Sequence, residues 1–241
     1  MRWSSLIKIK WMALSLFLVL KGHCQFKDAG LWSEIAVSVE HKDWTFQCAP
    51  EVRMHENITR VGRAFVDFGV QYKCSKQVFI TSTYRVGVAD QIDYYDPRQR
   101  MQLGLGWKQK FDDLTCTWLS RAQVAMQGRF AETDADFQTT WRNRVQLKYN
   151  LTKKWAVGSS MELFHNIQRY QSVSLQNWRW MATLDRDLPN KQSVRVGYLI
   201  QKNLSNSPQE IDFVFLLGYN FQFDWKEEEK NEDRFIGTPS F

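Results

Sequence analysis

Apolar and polar side chains alternate along most of this chain with a period of two. The clearest run covers residues 211–223, where every odd position from Ile211 to Phe223 is apolar or aromatic. The even positions of the same run include Asp212 and Asn220. Because successive side chains of a β-strand point to opposite faces, the run predicts a strand with one greasy face and one more polar face.

Runs of this kind, each about ten residues long, recur between segments of turn chemistry, which is typical of a transmembrane β-barrel. Eleven can be counted, whereas single-chain bacterial barrels have an even number of strands. We therefore expect an all-β, transmembrane, antiparallel up-and-down β-barrel of 10 to 12 strands. Either the first run is an accessory strand or one strand is missing from the count, and Pro50 marks a bulge or a weak strand in this region. The runs lie near residues 31–40, 44–54, 64–73, 78–88, 98–110, 114–127, 137–149, 155–164, 178–187, 194–203 and 211–223.

Charged side chains fall in the middle of these runs, on the polar face. A charged residue facing lipid at the membrane midplane costs about 2–4 kcal/mol, and a dry core would not tolerate it either. These residues should therefore point into a lumen while the greasy face contacts outer-membrane lipid. A soluble secreted β-sandwich with a binding role is the alternative, and it needs a second sheet to cover the aromatic face. The predicted lumen-facing network comprises Glu51, Arg53, Asp67, Arg85, Arg100, Arg121, Arg142, Arg144, Glu162, Arg179, Arg195 and Asp212.

This network has two interpretations. One is an ion or solute path with an anion-attracting wall. The other is a structural network in which arginine forks pair with Glu51, Asp67, Glu162 and Asp212 to fill a narrow lumen. Small barrels leave little interior space beyond what side chains occupy, so the geometry favours a plugged lumen. The predicted role is structural, or that of a narrow or gated pore.

A barrel-rim enzyme acting on lipid or peptide is the alternative function. Such chemistry needs a nucleophile, a base within hydrogen-bond reach and an orienting carboxylate. The available histidines, His41, His55 and His165, show no triad-like spacing, and Glu162 and His165 lie on opposite faces of a strand. We therefore favour a non-enzymatic role and assign no catalytic residue, metal site or cofactor.

The two ends of the chain lack the alternation. Residues 1–24 carry the charged start, apolar core and small-x-small cleavage site of a secretory signal peptide, with cleavage expected after Cys24. A lipoprotein would instead carry acyl chains on Cys24, but the residues before it suit that recognition poorly. The barrel then covers residues 25–223, and residues 224–241 form a charged periplasmic tail.

Charge and turn lengths indicate the surroundings of the barrel. Of 32 basic residues, four lie in the first 21 positions, and the remainder nearly balance 26 acidic residues, so nucleic acid is not an expected partner. We expect a monomer whose C-terminal strand engages the barrel-assembly machinery. Tight links belong on the periplasmic side and long loops outside, which places a girdle of aromatic residues near the periplasmic interface. The tight links hold Ser75, Asp112, Thr152 and Pro189, and the girdle holds Tyr72, Trp107, Tyr149, Trp155 and Phe223.

Several segments together resemble a known family, the Bacteroidetes outer-membrane barrels called domain-of-unknown-function family 2490. The resemblance covers about residues 28–223 and includes the inward pair Glu51 and Arg53. It implies an outer-membrane β-barrel of a Gram-negative bacterium and implies no reaction. The segments that carry it are LWSEIAVSVEHKDW, DFGVQYKCSKQVFITSTYR, SRAQ, WRNRVQLKY, MELF, WRWMATLD and the aromatic terminal strand.

Overall fold

A computed structural model describes residues 29–91, 94–127, 136–167, 173–204 and 211–225. These ranges form eleven β-strands in one closed barrel, which confirms the predicted all-β barrel of 10 to 12 strands. The strands are β1 (Ala29–His41), β2 (Trp44–His55), β3 (Arg60–Lys73), β4 (Val78–Asp90), β5 (Tyr95–Phe111), β6 (Leu114–Gln127), β7 (Asp136–Asn150), β8 (Trp155–Asn166), β9 (Ser174–Leu188), β10 (Gln192–Asn203) and β11 (Ile211–Asp224). No helix in the described ranges is long and apolar enough to cross a membrane. The predicted signal peptide, and the predicted tail beyond Trp225, lie outside the described residues.

The barrel closes through a parallel pair of strands. Neighbours from β1 to β11 are antiparallel, but β11 pairs with β1 in parallel, from Ala29 opposite Phe213 to Glu40 opposite Asp224. A ring in which every strand reverses direction needs an even number of strands, so one parallel pair permits an odd number. The expectation of an even count is therefore wrong, and the eleven runs are the eleven strands. Because β1 pairs on both sides, it is a full member of the barrel and not an accessory strand.

Pro50 weakens one strand pairing without breaking its strand. β2 continues through Pro50, which lies opposite Val66 of β3. On the other side, the recorded pairs between β1 and β2 leave out Ile35 and Ala36, which lie level with Pro50 and Ala49. Proline has no N–H to donate to a neighbouring strand, which accounts for the gap in this ladder. The bulge of β2 lies further on, between Arg53 and Met54.

The two ends of the barrel differ in their connections. At one end, called the turn end, two to four residues join β1 to β2, β3 to β4, β5 to β6, β7 to β8 and β9 to β10. Hydroxyls stabilise two of these turns, because Ser75 Oγ accepts from the Val78 N–H at 3.0 Å and Thr152 Oγ1 accepts from the Trp155 N–H at 3.1 Å. The opposite end, the loop end, holds connections of four to eight residues.

Two of the predicted long loops are shorter than expected. β3 begins at Arg60 and β5 begins at Tyr95, which leaves four residues in each preceding connection. Strand pairing continues into these polar segments, for example between Arg63 and Ala89 and between Asp90 and Tyr95. In these strands the apolar alternation therefore marks only part of the strand, and the hydrogen-bonded ladder extends past it towards the loop end.

Apolar side chains cover the outer surface of the barrel. Leu103, in the middle of β5, is 55% exposed, and Phe68 of β3 and Phe215 of β11 are about half exposed. Every strand from β1 to β11 contributes at least one exposed large apolar side chain. Soluble monomers rarely leave so much continuous apolar surface uncovered. The sheet is also closed, so the β-sandwich alternative is wrong.

Gly87 provides a stability prediction for the barrel wall. The Cβ that an alanine would add at Gly87 lies 2.3 Å from Ala64 O and 2.3 Å from Phe65 Cβ on the neighbouring strand. Gly87→Ala should therefore lower the free energy of unfolding by about 1–3 kcal/mol, as overpacking typically does. Gly69→Ala is the matched control, because its added Cβ meets Gln47 Cβ at an ordinary 3.6 Å. Urea unfolding of both variants checks the prediction, and equal midpoints would contradict it.

Candidate functional site

The barrel encloses a cavity of about 790 Å³, which is the candidate site. All twelve residues of the predicted lumen-facing network line it. Glu34 and Arg63 line it as well, so nine arginines and five carboxylates line the cavity. The arginines are Arg53, Arg63, Arg85, Arg100, Arg121, Arg142, Arg144, Arg179 and Arg195, and the carboxylates belong to Glu34, Glu51, Asp67, Glu162 and Asp212.

Glu162 of β8 is the centre of one group of charges. It is 4% exposed, and three arginines from three other strands bind it. Arg142 of β7 binds both carboxylate oxygens of Glu162: its Nε donates to Oε1 at 3.1 Å, and its Nη2 donates to Oε2 at 3.1 Å. Arg121 of β6 donates from Nη2 to Oε1, and Arg179 Nη1 of β9 lies 3.7 Å from Oε2. One buried carboxylate therefore ties β6, β7, β8 and β9 together.

A second group of charges lies across β2, β3 and β4. Asp67 and Arg85 are directly opposite each other in the strand register, and the arginine fork binds both carboxylate oxygens, with Nε 2.6 Å from Oδ1. Glu51 Oε1 accepts from Arg53 Nε at 2.6 Å, and Glu51 Oε2 lies 3.5 Å from Arg85 Nη2. Such bidentate, charge-assisted bonds fix the geometry of both partners.

Three inward aromatic rings pack against the arginines of these two groups, and one of them, Trp32, joins the groups. Trp32 of β1 has the Arg53 guanidinium 3.6 Å from its ring centroid and the Arg179 guanidinium 5.0 Å from it. These distances fall within the range of cation–π attraction. Phe65 packs against Arg85 and Arg53 in the same way, and Phe164 packs against Arg142 and Arg179. Trp32 therefore links the Glu51 group on one wall to the Glu162 group on another.

The linked side chains form a layer across the lumen, called here the septum. Glutamines extend it, since Gln102 of β5 accepts from Arg121 Nη1 at 3.2 Å and Gln201 of β10 accepts from Arg179 Nη2 at 2.6 Å. The septum thus connects β1 through β10 by hydrogen bonds, ion pairs and cation–π contacts. β11 faces it with Val214 and Leu216. The septum consists of Trp32, Glu51, Arg53, Phe65, Asp67, Arg85, Gln102, Arg121, Gln123, Arg142, Glu162, Phe164, Arg179 and Gln201.

A smaller ion-pair group lies nearer the turn end. Asp185 of β9 is buried and accepts from Arg195 Nε at 2.7 Å, and Lys148 Nζ lies 3.2 Å from its other oxygen. Arg195 and Asp185 are directly opposite each other on β10 and β9. The alternation places Asp185, like Arg195, among the inward-facing charges.

The strand alternation contained signals for the residues that the prediction missed. Glu34 shares the inward parity of β1 with Trp32, and Arg63 shares that of β3 with Asp67. Trp32, Phe65 and Phe164 are harder to predict because aromatic residues are expected on the outer, apolar face of the strands. Their positions within each run, two residues from an inward charge, are the available clue.

The histidines do not assemble a catalytic arrangement. His55 ends β2 and His165 lies one residue before the end of β8, both at the loop end, whereas His41 ends β1 at the turn end. His55 Nδ1 lies 3.7 Å from Glu56 Oε1, and both side chains are well exposed to solvent. Within the described ranges, no group of three or more His, Cys, Asp or Glu residues could hold a metal ion. This geometry gives no support to the barrel-rim enzyme.

The fold and the site define a class of protein: a closed all-β barrel with an apolar outer surface and an interior lined by arginines and carboxylates. The family model described as "Protein of unknown function (DUF2490)" matches residues 29–212, and the chain belongs to this family. The match confirms the family named from sequence, while the Bacteroidetes origin stays a prediction. A comparison with curated proteins found no match.

Proposed function

We propose that this protein is an outer-membrane β-barrel of a Gram-negative bacterium whose lumen is closed at rest by the septum. The observation that carries this proposal is the continuous contact path from Asp67 through Trp32 to Glu162, which joins opposite walls of the barrel. A freely conducting pore needs its charged side chains held against the wall. Here the arginine side chains extend into the interior and meet through Trp32.

The outer surface supports the membrane location. Exposed apolar side chains occur on all eleven strands, and a lipid bilayer is the environment that covers such a surface. The strands have 12 to 17 residues, which exceeds the roughly 9–11 residues that a tilted strand needs to cross the hydrocarbon region. Aromatic residues collect at the turn end, as at a membrane interface. These residues are Trp44, Tyr72, Trp107, Tyr149, Trp155 and Phe223.

The remaining parts of the proposal follow from the same setting. We propose that residues 1–24 direct export and are removed, and that the segment after β11 is a periplasmic tail. Tight turns then lie on the periplasmic side and longer loops at the cell surface. The barrel-assembly machinery is the proposed partner of β11, and the barrel acts as a monomer in outer-membrane lipid.

The septum also defines how a pore could open. Separating Trp32 from Arg53 and Arg179 would part the two charge groups, while each group keeps its own ion pairs. We therefore propose a closed barrel with a breakable link at Trp32. At rest its role is structural, and if it conducts, the pore is narrow.

Gel mobility and bilayer conductance of the folded protein test this function. Unboiled protein should migrate faster than boiled protein, and the folded species should carry no steady current in a planar bilayer. Trp32→Ala should introduce current because it removes the link between the groups, whereas Trp44→Ala, on the outer face, should not. A mobility shift with large steady current in the unaltered protein would overturn the closed lumen. Unchanged mobility on boiling would overturn the membrane barrel.

A charge on the outer face provides a separate prediction. Leu103→Arg places a guanidinium on the outward face at the middle of β5, where a bilayer midplane makes it cost about 2–4 kcal/mol. Phe111→Arg, at the turn end of the same strand, should cost about 0–1 kcal/mol because the charge reaches the interface. Urea unfolding of both variants in lipid vesicles measures the difference. Equal costs at the two positions would show that no bilayer surrounds β5.

A further inference from the structure

Arg100 of β5 differs from the arginines of the septum because no carboxylate among the described residues is paired with it. Its Nε is buried, and no hydrogen-bond partner for that atom exists in the described part of the chain. By contrast, Arg85 and Arg142 each bind a carboxylate through two nitrogen atoms. Arg100 lines the same cavity as they do.

The surroundings of Arg100 are strongly positive. It lies directly opposite Arg85 in the register of β4 and β5. Arg85, Arg142 and Arg53 all act on it as like charges, and Asp67 opposes them. However, both oxygens of Asp67 already accept bonds from Arg85. The region around Arg100 therefore has more guanidinium groups than carboxylates to neutralise them.

The cavity shows the same imbalance, with nine lining arginines against five lining carboxylates and Asp185, the partner of Arg195. An arginine side chain cannot lose its proton inside a protein, so it cannot relieve the imbalance by becoming neutral. A buried charge without a partner is costly. A counter-anion from solution can remove that cost if it fits the cavity and meets the donors.

Neighbouring amides supply further donors and a size limit. Gln123 accepts on Oε1 from Gln102 Nε2 at 3.2 Å and from Arg142 Nη1 at 2.9 Å, which leaves its own amide hydrogens as donors. Gln123 is a diagonal neighbour of Arg100, because Arg100 lies opposite Ala125. The cavity of about 790 Å³ is in the range of small-molecule sites.

We propose that the lumen binds a small oxyanion, carrying a phosphate, sulfate or carboxylate group, at Arg100 beside the septum. The fork of Arg100 donates to two oxygens of the anion, and the Gln123 amide donates to another. Arg100 lies opposite Arg85 and two residues before Gln102 on β5, so the site borders the septum. It rests on the proposed function only in that septum residues form one side of the site.

Calorimetric titration of the folded protein in detergent tests the site. The probes are inorganic phosphate, sulfate and acetate at constant ionic strength, which separates a preference for tetrahedral anions from one for carboxylates. At least one probe should bind saturably, and Arg100→Gln should weaken it at least about tenfold. Arg186→Gln is the matched control, because Arg186 lies on the outer face beside Trp155 and should leave affinity unchanged. No saturable binding of any probe, or equal affinity in Arg100→Gln, would overturn the proposal.

Thermal unfolding gives an independent result that a general loss of folding cannot imitate. Without the anion, Arg100→Gln should raise the midpoint of unfolding because it removes an unpaired charge. The bound probe should raise the midpoint of the unaltered protein and leave that of Arg100→Gln unchanged. Arg100→Lys keeps the charge without the fork and should bind with intermediate affinity. A barrel that shifts on boiling but binds no anion would refute this site and leave the proposed barrel intact.

Discussion

Replacement of Glu162 by glutamine is expected to lower the free energy of unfolding by about 3–5 kcal/mol, the cost of leaving buried charges without their partner. The substitution keeps the size of the side chain and one acceptor oxygen. It removes the negative charge that Arg121, Arg142 and Arg179 share. Those three guanidinium groups would then face one another in the septum. Urea unfolding, followed by the loss of heat-modifiable gel mobility, measures the change.

Glu56→Gln is the control for this prediction. Glu56 also pairs with an arginine, since Arg60 Nη1 lies 3.4 Å from its Oε1, but the pair is exposed at the loop end. Exposed pairs contribute about 0–1 kcal/mol, so the control should unfold close to the unaltered protein. If Glu162→Gln is no more costly than Glu56→Gln, the lumen is wet enough to screen its charges, and the septum is not a closed layer.

This cost concerns the loss of one partner and does not make the septum a source of net stability. Desolvation of buried ion pairs can exceed their attraction, and apolar side chains of similar volume often replace them without loss. An apolar core could therefore have stabilised the barrel equally well. What the network provides is a fixed position of the strands relative to one another across the lumen. The septum contains a breakable link at Trp32, and the buried Arg100 Nε has no hydrogen-bond partner among the described residues. Both features suit a lumen that responds to a solute.

Alternation was sufficient to predict the strands and the inward charges. A period of two assigns each side chain to a face whatever its neighbours are, so Arg142 and Glu162 could be placed in the lumen without knowing which strands pair. The ion-pair partners could not be predicted in the same way. Arg121 reaches Glu162 across β7, and that contact depends on the shear of the whole barrel and on the length of the side chain.

Aromatic side chains and the closure of the ring limited the prediction in other ways. Trp32 and Phe65 look like membrane anchors by composition, but they share the inward parity of Glu34 and Asp67, and guanidinium groups cover their rings in the lumen. Alternation predicts the correct number of strands, eleven, whereas the rule that antiparallel barrels have an even number predicts ten or twelve. Alternation contains no information on strand direction, so a parallel pair between β1 and β11 leaves no mark in the sequence pattern.

That parallel pair leads to the prediction with the most distinct outcome. β1 runs from the loop end to the turn end, and β11 runs the same way, so the chain enters the barrel at one end and leaves it at the other. In an even-stranded barrel both would lie at the same end. A peptide tag inserted between Lys27 and Asp28 should therefore be labelled by antibody on intact cells. The same tag between Trp225 and Lys226 should be labelled only after the outer membrane is permeabilised.

Two further insertions calibrate this experiment. A tag in the connection between β6 and β7 should be labelled on intact cells, because that connection belongs to the loop end, and a tag between Asp112 and Asp113 should not. If the loop tag is labelled and the tag before β1 is protected, β1 does not cross the membrane in parallel with β11, and the barrel has an even number of strands. If both are labelled while the two turn-end tags are protected, the odd-numbered ring is the form that exists in the membrane.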